Sequence, residues 1–315
     1  MIKQAFIFDS LIKDYKFYQG LLKEYTDYDK QLQVFKKIRE ESVNQEIVKN
    51  IQLYKKLIDN ILLTNINSSS ERKIEIIEKY FTRDFYNTPV YYGFHLFHFY
   101  SPDFIKDNVE IINEKVYLDS IKKYGAVVLN PLHNDLYQIL TNYISLINKN
   151  IICSLYGLET SLKKIEKINK LYTPTVKNIE YNYIVDNYGV PYPLILRKAL
   201  KDISQGKVVA IPPEISMGLG PQHTVKLLGK DVSMPLGSSW VSNKMQVPII
   251  ILHTEMTEKY KIKITFEDPI YPSEIQNRQN IIDESTHVFK KIDKIIRNNP
   301  YSWCGYDTFD KMMIK

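Results

Sequence analysis

One short run carries the residue types for proton transfer. Ala126-Val127-Val128-Leu129-Asn130-Pro131 is an apolar, strand-forming stretch, and Leu132-His133-Asn134-Asp135 follows directly. In open α/β sheets, chemistry gathers outside the carboxyl ends of strands. An imidazole released at such an end is placed to act as a general base. The competing reading is a capping or core histidine, and the strand-end position favours the base. Asn134 and Asp135 are good N-cap types, so Asp135 either starts the next helix or orients the His133 ring.

A carboxylate stands at a second strand end. Lys207 to Ile211 reads as a strand, and Pro212-Pro213-Glu214 follows it. Glu214 is either an exposed loop carboxylate or a group facing His133 across a cleft. His253 follows a third apolar run, Val247 to Leu252, where it is a second polar group of the cleft or, slightly favoured, a structural histidine. His98 and Asp103 have a formal His-x-x-x-x-Asp spacing, but the Asp follows a Pro and no strand precedes the His, so the spacing reads as chance. Cys153 lies inside a strand-like run and reads as a small buried residue rather than a nucleophile. Neither a Gly-x-Gly-x-x-Gly run nor a P-loop occurs around Ser216-Met217-Gly218-Leu219-Gly220-Pro221, which argues against a nucleotide site. No Gly-x-Ser-x-Gly elbow is present, which argues against a serine hydrolase.

The elements that must hold these groups follow from hydrophobic periodicity. Residues 1–90 read as a mainly helical segment packed on the rest. Leu11, Tyr15, Tyr18, Leu22 and Tyr25 recur at helical spacing, and so do Ile47, Ile51, Tyr54, Leu57, Ile58 and Ile61. Asn65 to Ser70 is a loop rich in N-cap residues, and Glu71 opens a further helix. The stretch Val90 to Tyr100 is densely aromatic; its first reading is core or groove wall, and its second is a pocket in which Tyr91, Phe94 and Phe97 line an acyl chain. Residues 91–315 read as an α/β domain. Asn108 to Tyr124 is a short extended run and a helix, Ala126 to Asn130 and Ile151 to Leu155 are strands, and Leu136 to Asn148 is a helix. Pro193 to Gln205 is a helix stopped by Gly206, and Arg278 to Arg297 is a terminal helix. Tyr260 to Phe266 alternates in polarity and follows the Val247 strand after a short turn, so part of the sheet is expected to be antiparallel. The predicted fold class is therefore α/β, with a mixed central sheet flanked by helices.

Composition narrows the class further. The chain of 315 residues is 44% hydrophobic and 25% charged, ordinary for a globular protein. A formal charge of +6 permits docking to an anionic membrane or an acidic carrier protein, and falls short of a nucleic-acid-binding face. No nucleic-acid partner is expected. Two cysteines without metal-ligand spacing suggest reduced thiols, no metal and no cofactor. No apolar run reaches a membrane span, and no signal peptide is expected, so the protein is expected to be cytoplasmic, with any membrane contact peripheral on the inner face.

One series of segments is similar to a known family. Leu228-Gly229-Lys230 precedes Met234-Pro235-Leu236-Gly237-Ser238-Ser239-Trp240 and then Gln246-Val247-Pro248-Ile249-Ile250. This order resembles the bacterial lipid A biosynthesis acyltransferases (the late lauroyl and myristoyl transferases) and relatives that acylate mannosylated phosphoinositides. Those proteins carry a Gly-basic pair, a Pro-x-Gly turn with a small-residue helix, and a Pro-Val strand. Gly125 to His133 resembles their strand and catalytic His. Gly206 to Pro212 resembles the strand before their acidic loop, with Glu214 near the usual Asp. Asn299-Pro300-Tyr301-Ser302-Trp303 resembles their terminal Pro-x-x-Trp. The resemblance covers about residues 108–309.

The resemblance implies a glycerolipid or lipid A acyltransferase-like fold. It also implies transfer of an acyl group from an acyl-carrier-protein or coenzyme A thioester to a hydroxyl or amine of a lipid or small-molecule acceptor. His133 would be the base. The family's His-x-x-x-x-Glu/Asp falls here on His133 and Gln138. Gln138 can hold an imidazole by a hydrogen bond but cannot stabilise imidazolium by charge; Asp135 or Glu214 would then supply the charge. Val185-Asp186-Asn187-Tyr188-Gly189 lacks the family's Arg, and Asp307-Thr308-Phe309-Asp310 replaces its basic cluster. These departures leave two alternatives open: a catalytically degenerate relative that binds an acyl or lipid ligand, and a tailoring transferase of secondary metabolism.

Overall fold

Period-two burial organises the sheet. Val127 and Leu129 contribute to one apolar cluster, Ala126 and Val128 to the other, and Ile250 and Leu252 alternate in the same way with Ile249 and Ile251. Side chains of successive strand residues point to opposite faces, so a strand apolar on both must be covered on both. The computed structural model describes residues 51–66, 69, 71–77, 79–80, 109–134, 137–147, 150–159, 162–163, 166–167, 170, 178–184, 192–214, 220–257 and 262–314. The Leu11 to Tyr25 pattern, the aromatic stretch with Tyr91, Phe94 and Phe97, the His98/Asp103 pair and Asp135 lie outside the described residues.

In chain order the elements are α1 (Ile51–Leu63), β1 (Val109–Ile112), α2 (Glu114–Tyr124), β2 (Val128–Pro131), α3 (Gln138–Ile147), β3 (Cys153–Leu158), β4 (Ile179–Ile184) and α4 (Tyr192–Ser204). They continue as β5 (Val208–Ala210), β6 (Gln222–Leu227), β7 (Lys230–Pro235), α5 (Gly237–Met245), β8 (Ile249–Met256), β9 (Ile262–Phe266) and α6 (Arg278–Asn298). A 3-10 turn, Cys304–Thr308, and α7 (Phe309–Met312) close the described chain.

Among the described residues a seven-stranded sheet has the order β1-β9-β8-β2-β5-β3-β4. β8, β2, β5, β3 and β4 run parallel to one another; β9 is antiparallel to β8, and β1 is parallel to β9. The sheet is thus mixed α/β, with the antiparallel step at the place the alternating Tyr260 to Phe266 stretch predicts. Helices α2 and α3 supply Tyr117, Leu140, Tyr143 and Ile144 to one face. Helices α4, α5 and α6 supply Ala199, Ile203, Val241, Val288 and Phe289 to the other.

Leu57 and Ile61 of α1 join that second cluster beside Tyr306 and Phe309. The Asn60 side chain donates to the Tyr306 carbonyl at 2.7 Å. The described part of the N-terminal segment therefore rests on the chain's C-terminal turn. Ser69 Oγ accepts from the Arg72 backbone N–H at 3.2 Å, capping the helical stretch over residues 71–77.

Three strands escaped sequence reading. β4 lies at a sheet edge and is only half-buried. β6 and β7 form a separate antiparallel hairpin whose register pairs Leu227 with Lys230 across a two-residue turn. Both turn residues, Leu228 (φ 52°) and Gly229 (φ 78°), are left-handed, which is the type I′ arrangement that matches strand twist. Its usual signal is Asn-Gly; a Leu at the first position hides it. Leu228 is fully buried, its N–H donates to Asp293 Oδ1 at 2.6 Å, and its carbonyl accepts from the Asn65 N–H at 2.7 Å. A Cβ on Gly229 would stand 2.5 Å from the Asn65 Cβ, so only glycine fits.

β5, which delivers Glu214, is anchored at its start. Lys207 Nζ donates to Glu180 Oε2 at 2.8 Å and to Asp202 Oδ1 at 3.2 Å, and Tyr156 Oη donates to Asp202 Oδ2 at 2.5 Å. Burial alone would raise the Asp202 carboxyl, but hydrogen bonds from Tyr156, Lys198, Ser154 and Lys207 hold it below its ordinary value.

Candidate active site

β2 and β5 are parallel neighbours, so their carboxyl ends open on one edge of the sheet. The Ile211 N–H donates to the Leu129 carbonyl at 2.9 Å, and Asn130 Nδ2 donates to the Ile211 carbonyl at 2.8 Å. These bonds hold the two strand exits together. His133 leaves β2 and Glu214 leaves β5 at that point, 81 residues apart in sequence. His133 Nδ1 stands 3.2 Å from Glu214 Oε1. The same carboxylate oxygen accepts the His133 backbone N–H. The Glu214 side chain is 2% exposed and that of His133 is 8% exposed. The reading of Glu214 as an exposed loop carboxylate is thereby corrected: the strand exits turn it inward over β2. Glu214 Oε2 is buried and has no hydrogen-bond partner.

The neighbours of His133 fix its backbone. The Leu132 N–H donates to the Leu252 carbonyl at 2.9 Å, and the Cys304 N–H donates to the His133 carbonyl at 2.7 Å. Asn134 does not act as a helix cap. Its side-chain amide donates to the Thr254 carbonyl, and its Oδ1 accepts from the Thr254 N–H at 3.1 Å, which extends the β2–β8 ladder by a side chain. The Tyr137 ring packs edge-on against the imidazole, with centroids 4.4 Å apart. Among the described residues no hydrogen bond engages His133 Nε2.

Gln138 is the first residue of α3, five positions beyond His133. His253 lies within β8, not beyond it, because the strand continues through the polar residues His253 to Met256 to pair with β9. Its Nε2 stands 3.1 Å from Glu267 Oε1. The His253 bond, opposed by burial, and the nearby Lys291 and Lys294 charges hold the Glu267 carboxyl below its ordinary value. His253 therefore forms a pair of its own and does not join His133 and Glu214. Cys153 is buried, and burial pushes its thiol up to about 12, which makes it inert as a nucleophile at neutral pH.

Sequence reading missed Asn130, Tyr137 and the Cys304 backbone as parts of the site. Only Asn130 carries a signal: an amide inside an otherwise apolar buried strand needs a partner. Among the described residues no group of three or more His, Cys, Asp or Glu side chains could hold a metal ion.

These features define an α/β protein with a buried His–carboxylate pair at the carboxyl edge of its sheet. No family model matches the chain, and no curated protein matches it. Among solved structures it is similar to the 1-acyl-sn-glycerophosphate (LPA) acyltransferase PlsC from Thermotoga maritima, with 14% identity over 80% of this chain and 98% of that chain and a TM-score of 0.35. At that identity and score the likeness says nothing about activity here.

Proposed function

We propose that the protein is an acyltransferase that moves an acyl group from a thioester, borne by acyl carrier protein or coenzyme A, to a hydroxyl or amine. The observation that carries this reading is the buried His133–Glu214 pair. Glu214 accepts from Nδ1–H, which fixes the tautomer and leaves Nε2 as the proton acceptor. The reaction class is supported by the resemblance of residues 108–309 to the lipid A acyltransferases.

In the proposed step His133 Nε2 removes the proton of the acceptor hydroxyl or amine. The acceptor atom bonds to the thioester carbonyl carbon, the C–S bond breaks, and the departing thiolate takes the proton back from the imidazolium. Glu214 remains a carboxylate and stabilises the imidazolium, the task that Gln138 and Asp135 were candidates for. The partially positive start of α3, just beyond His133, would favour the oxyanion. The aromatic residues Tyr91, Phe94 and Phe97 would line the acyl chain. No helix among the described residues is long and apolar enough to cross a membrane, and any lipid acceptor would be met at a membrane surface.

The test is acyl transfer from a panel of carrier-protein and coenzyme A thioesters to pooled lipid and amine acceptors, followed by mass spectrometry. Wild type, His133→Ala, Glu214→Gln and Gln138→Ala are compared. Product lost with His133→Ala, strongly reduced with Glu214→Gln and nearly unchanged with Gln138→Ala supports the reading. Equal turnover by wild type and His133→Ala removes His133 from the mechanism, and a folded wild type inactive across the panel overturns the transferase.

A further inference from the structure

Helix α5 buries one side and opens the other. Ser238, Ser239, Val241 and Ser242 are buried on the sheet side, where the helix packs on β2 and β8. Gly237, Trp240 and Lys244 recur at i, i+3 and i+7 on the opposite side and line a cavity of about 450 Å³. Such a volume falls within the roughly 300–1,000 Å³ of small-molecule sites. The cavity's apolar wall comes from three elements: Leu196 of α4, Trp240 of α5 and Ile281 of α6, with Leu236 at the start of α5. Ile275, next in sequence to the lining residue Gln276, is 66% exposed.

The mouth is cationic. Lys244 and Arg278 both line it, and among the described residues neither meets a carboxylate; Lys244 Nζ touches only the neutral Gln276 Oε1, at 3.4 Å. Arg278 is also the first residue of α6, a 21-residue helix whose cap, Asn277, takes only the Asn280 N–H at 2.8 Å. The N–H groups of Arg278 and Gln279 remain uncommitted among the described residues at the positive end of a long helix. Two unneutralised side-chain cations and a helix N-terminus thus converge on one end of an apolar slot. Gly237 to Lys244 spans roughly 10 Å of helix, enough for a run of several methylenes.

We propose that this cavity binds a single-chain anionic amphiphile, with its alkyl chain against Leu196, Trp240 and Ile281 and its charged head at Lys244, Arg278 and the amino end of α6. Helix α5 packs on β2 and β8 by its other side, and neither His133 nor Glu214 lines the cavity, so the proposal does not depend on their chemistry. An apolar chain alone would fit the walls, but the uncompensated charge at the mouth selects an anion.

Dodecanoate and dodecyl phosphate are titrated into the full chain below their micellar concentrations, followed by calorimetry and tryptophan emission. The chain has two Trp, and Trp303 is fully buried, so Trp240 reports the event. Both anions are expected to bind and shift the emission, inorganic phosphate to give no signal, and dodecyltrimethylammonium to bind at least tenfold more weakly. The exposed double substitution Lys244→Glu/Arg278→Glu is expected to weaken dodecanoate at least tenfold, and Leu196→Tyr, which fills the slot, to abolish its heat of binding. His133→Ala is expected to bind as wild type does. The proposal is overturned by a wild type that gives neither heat nor emission change, by charge-reversed protein that binds equally well, or by loss of binding in His133→Ala, which would place the chain at the other site.

Discussion

His133, just past the end of β2, faces Glu214 at 3.2 Å, and His253, in the neighbouring β8, faces Glu267 at 3.1 Å. The distances match, but the surroundings do not. Glu214 is almost wholly buried and also takes the backbone N–H of the histidine it orients. Glu267 is 30% exposed and feels Lys291 and Lys294 as well as His253. His133 is anchored through Nδ1, and among the described residues no hydrogen bond engages its Nε2. His253 is anchored through Nε2, which leaves only the nitrogen beside its own main chain. A desolvated carboxylate with one partner couples strongly to a charge forming on that partner, whereas a half-solvated one among lysines is screened. The comparison teaches that two His–carboxylate pairs of equal length differ in which ring nitrogen is tied and in how dry the carboxylate is, and the proposed role of His133 as a base rests on those two differences.

The sharpest way to break the contrast is to remove each imidazole. His133→Ala is expected to lower turnover about 10³-fold or more, the range of a lost general base, while His253→Ala changes it by no more than about threefold. Steady-state rates of both folded variants read the difference. The carboxylates come next. Glu214→Gln is expected to cost roughly 10²–10⁴-fold in kcat, because a neutral amide holds the ring without stabilising imidazolium. Glu267→Gln is expected to leave kcat almost unaltered. Equal losses in the two glutamine variants would erase the distinction.

Much of this contrast was legible in the sequence and part of it was not. His133 and Glu214 were visible because each follows an apolar run, and parallel neighbouring strands bring their ends together. Which side chain stands beside the ring was not visible: Asp135, Gln138 and Glu214 all had plausible chemistry, and it is the β2–β5 pairing that brings Glu214 to it. His253 was misplaced by a rule that ends a strand where its apolar residues end. β8 continues because its later residues pair with β9 rather than because they are apolar. The β6–β7 hairpin stayed hidden because tertiary bonds from Asn65 and Asp293 hold a leucine in the conformation that asparagine adopts readily.

Glu284 extends the comparison to a buried carboxylate with no histidine at all. Both of its oxygens are buried without a hydrogen-bond partner, and burial pushes its carboxyl up to about 7. Ser242 pulls weakly the other way, and its hydroxyl is already donated to the Val247 carbonyl at 2.7 Å. The folded state therefore holds the proton more tightly than the unfolded chain does. This contribution to stability is full below the ordinary carboxyl range and is lost as pH rises from about 4.5 to about 7 and slightly beyond. Glu284→Gln, which stays neutral, is expected to flatten that dependence and to be more stable than wild type at pH 8 by on the order of 1–3 kcal/mol. Denaturant unfolding at pH 5 and pH 8 checks it; parallel curves for the two proteins would show that Glu284 is solvated.

The smallest effect is expected from Glu267, and its sign is opposite. Its hydrogen bond to His253 holds the carboxyl below its ordinary value despite partial burial. The unfolded chain then binds the proton more readily than the folded one, so stability from this pair is present above the ordinary carboxyl range and is lost as pH falls through the folded value. Glu267→Gln should match wild type in strong acid and fall below it at neutral pH by less than about 1 kcal/mol, because the group is partly exposed and screened. Thermal midpoints at pH 3 and pH 7 measure this gap. A neutral-pH loss of several kcal/mol would show that the Glu267 pair is as desolvated as that of Glu214, and that burial does not separate the two.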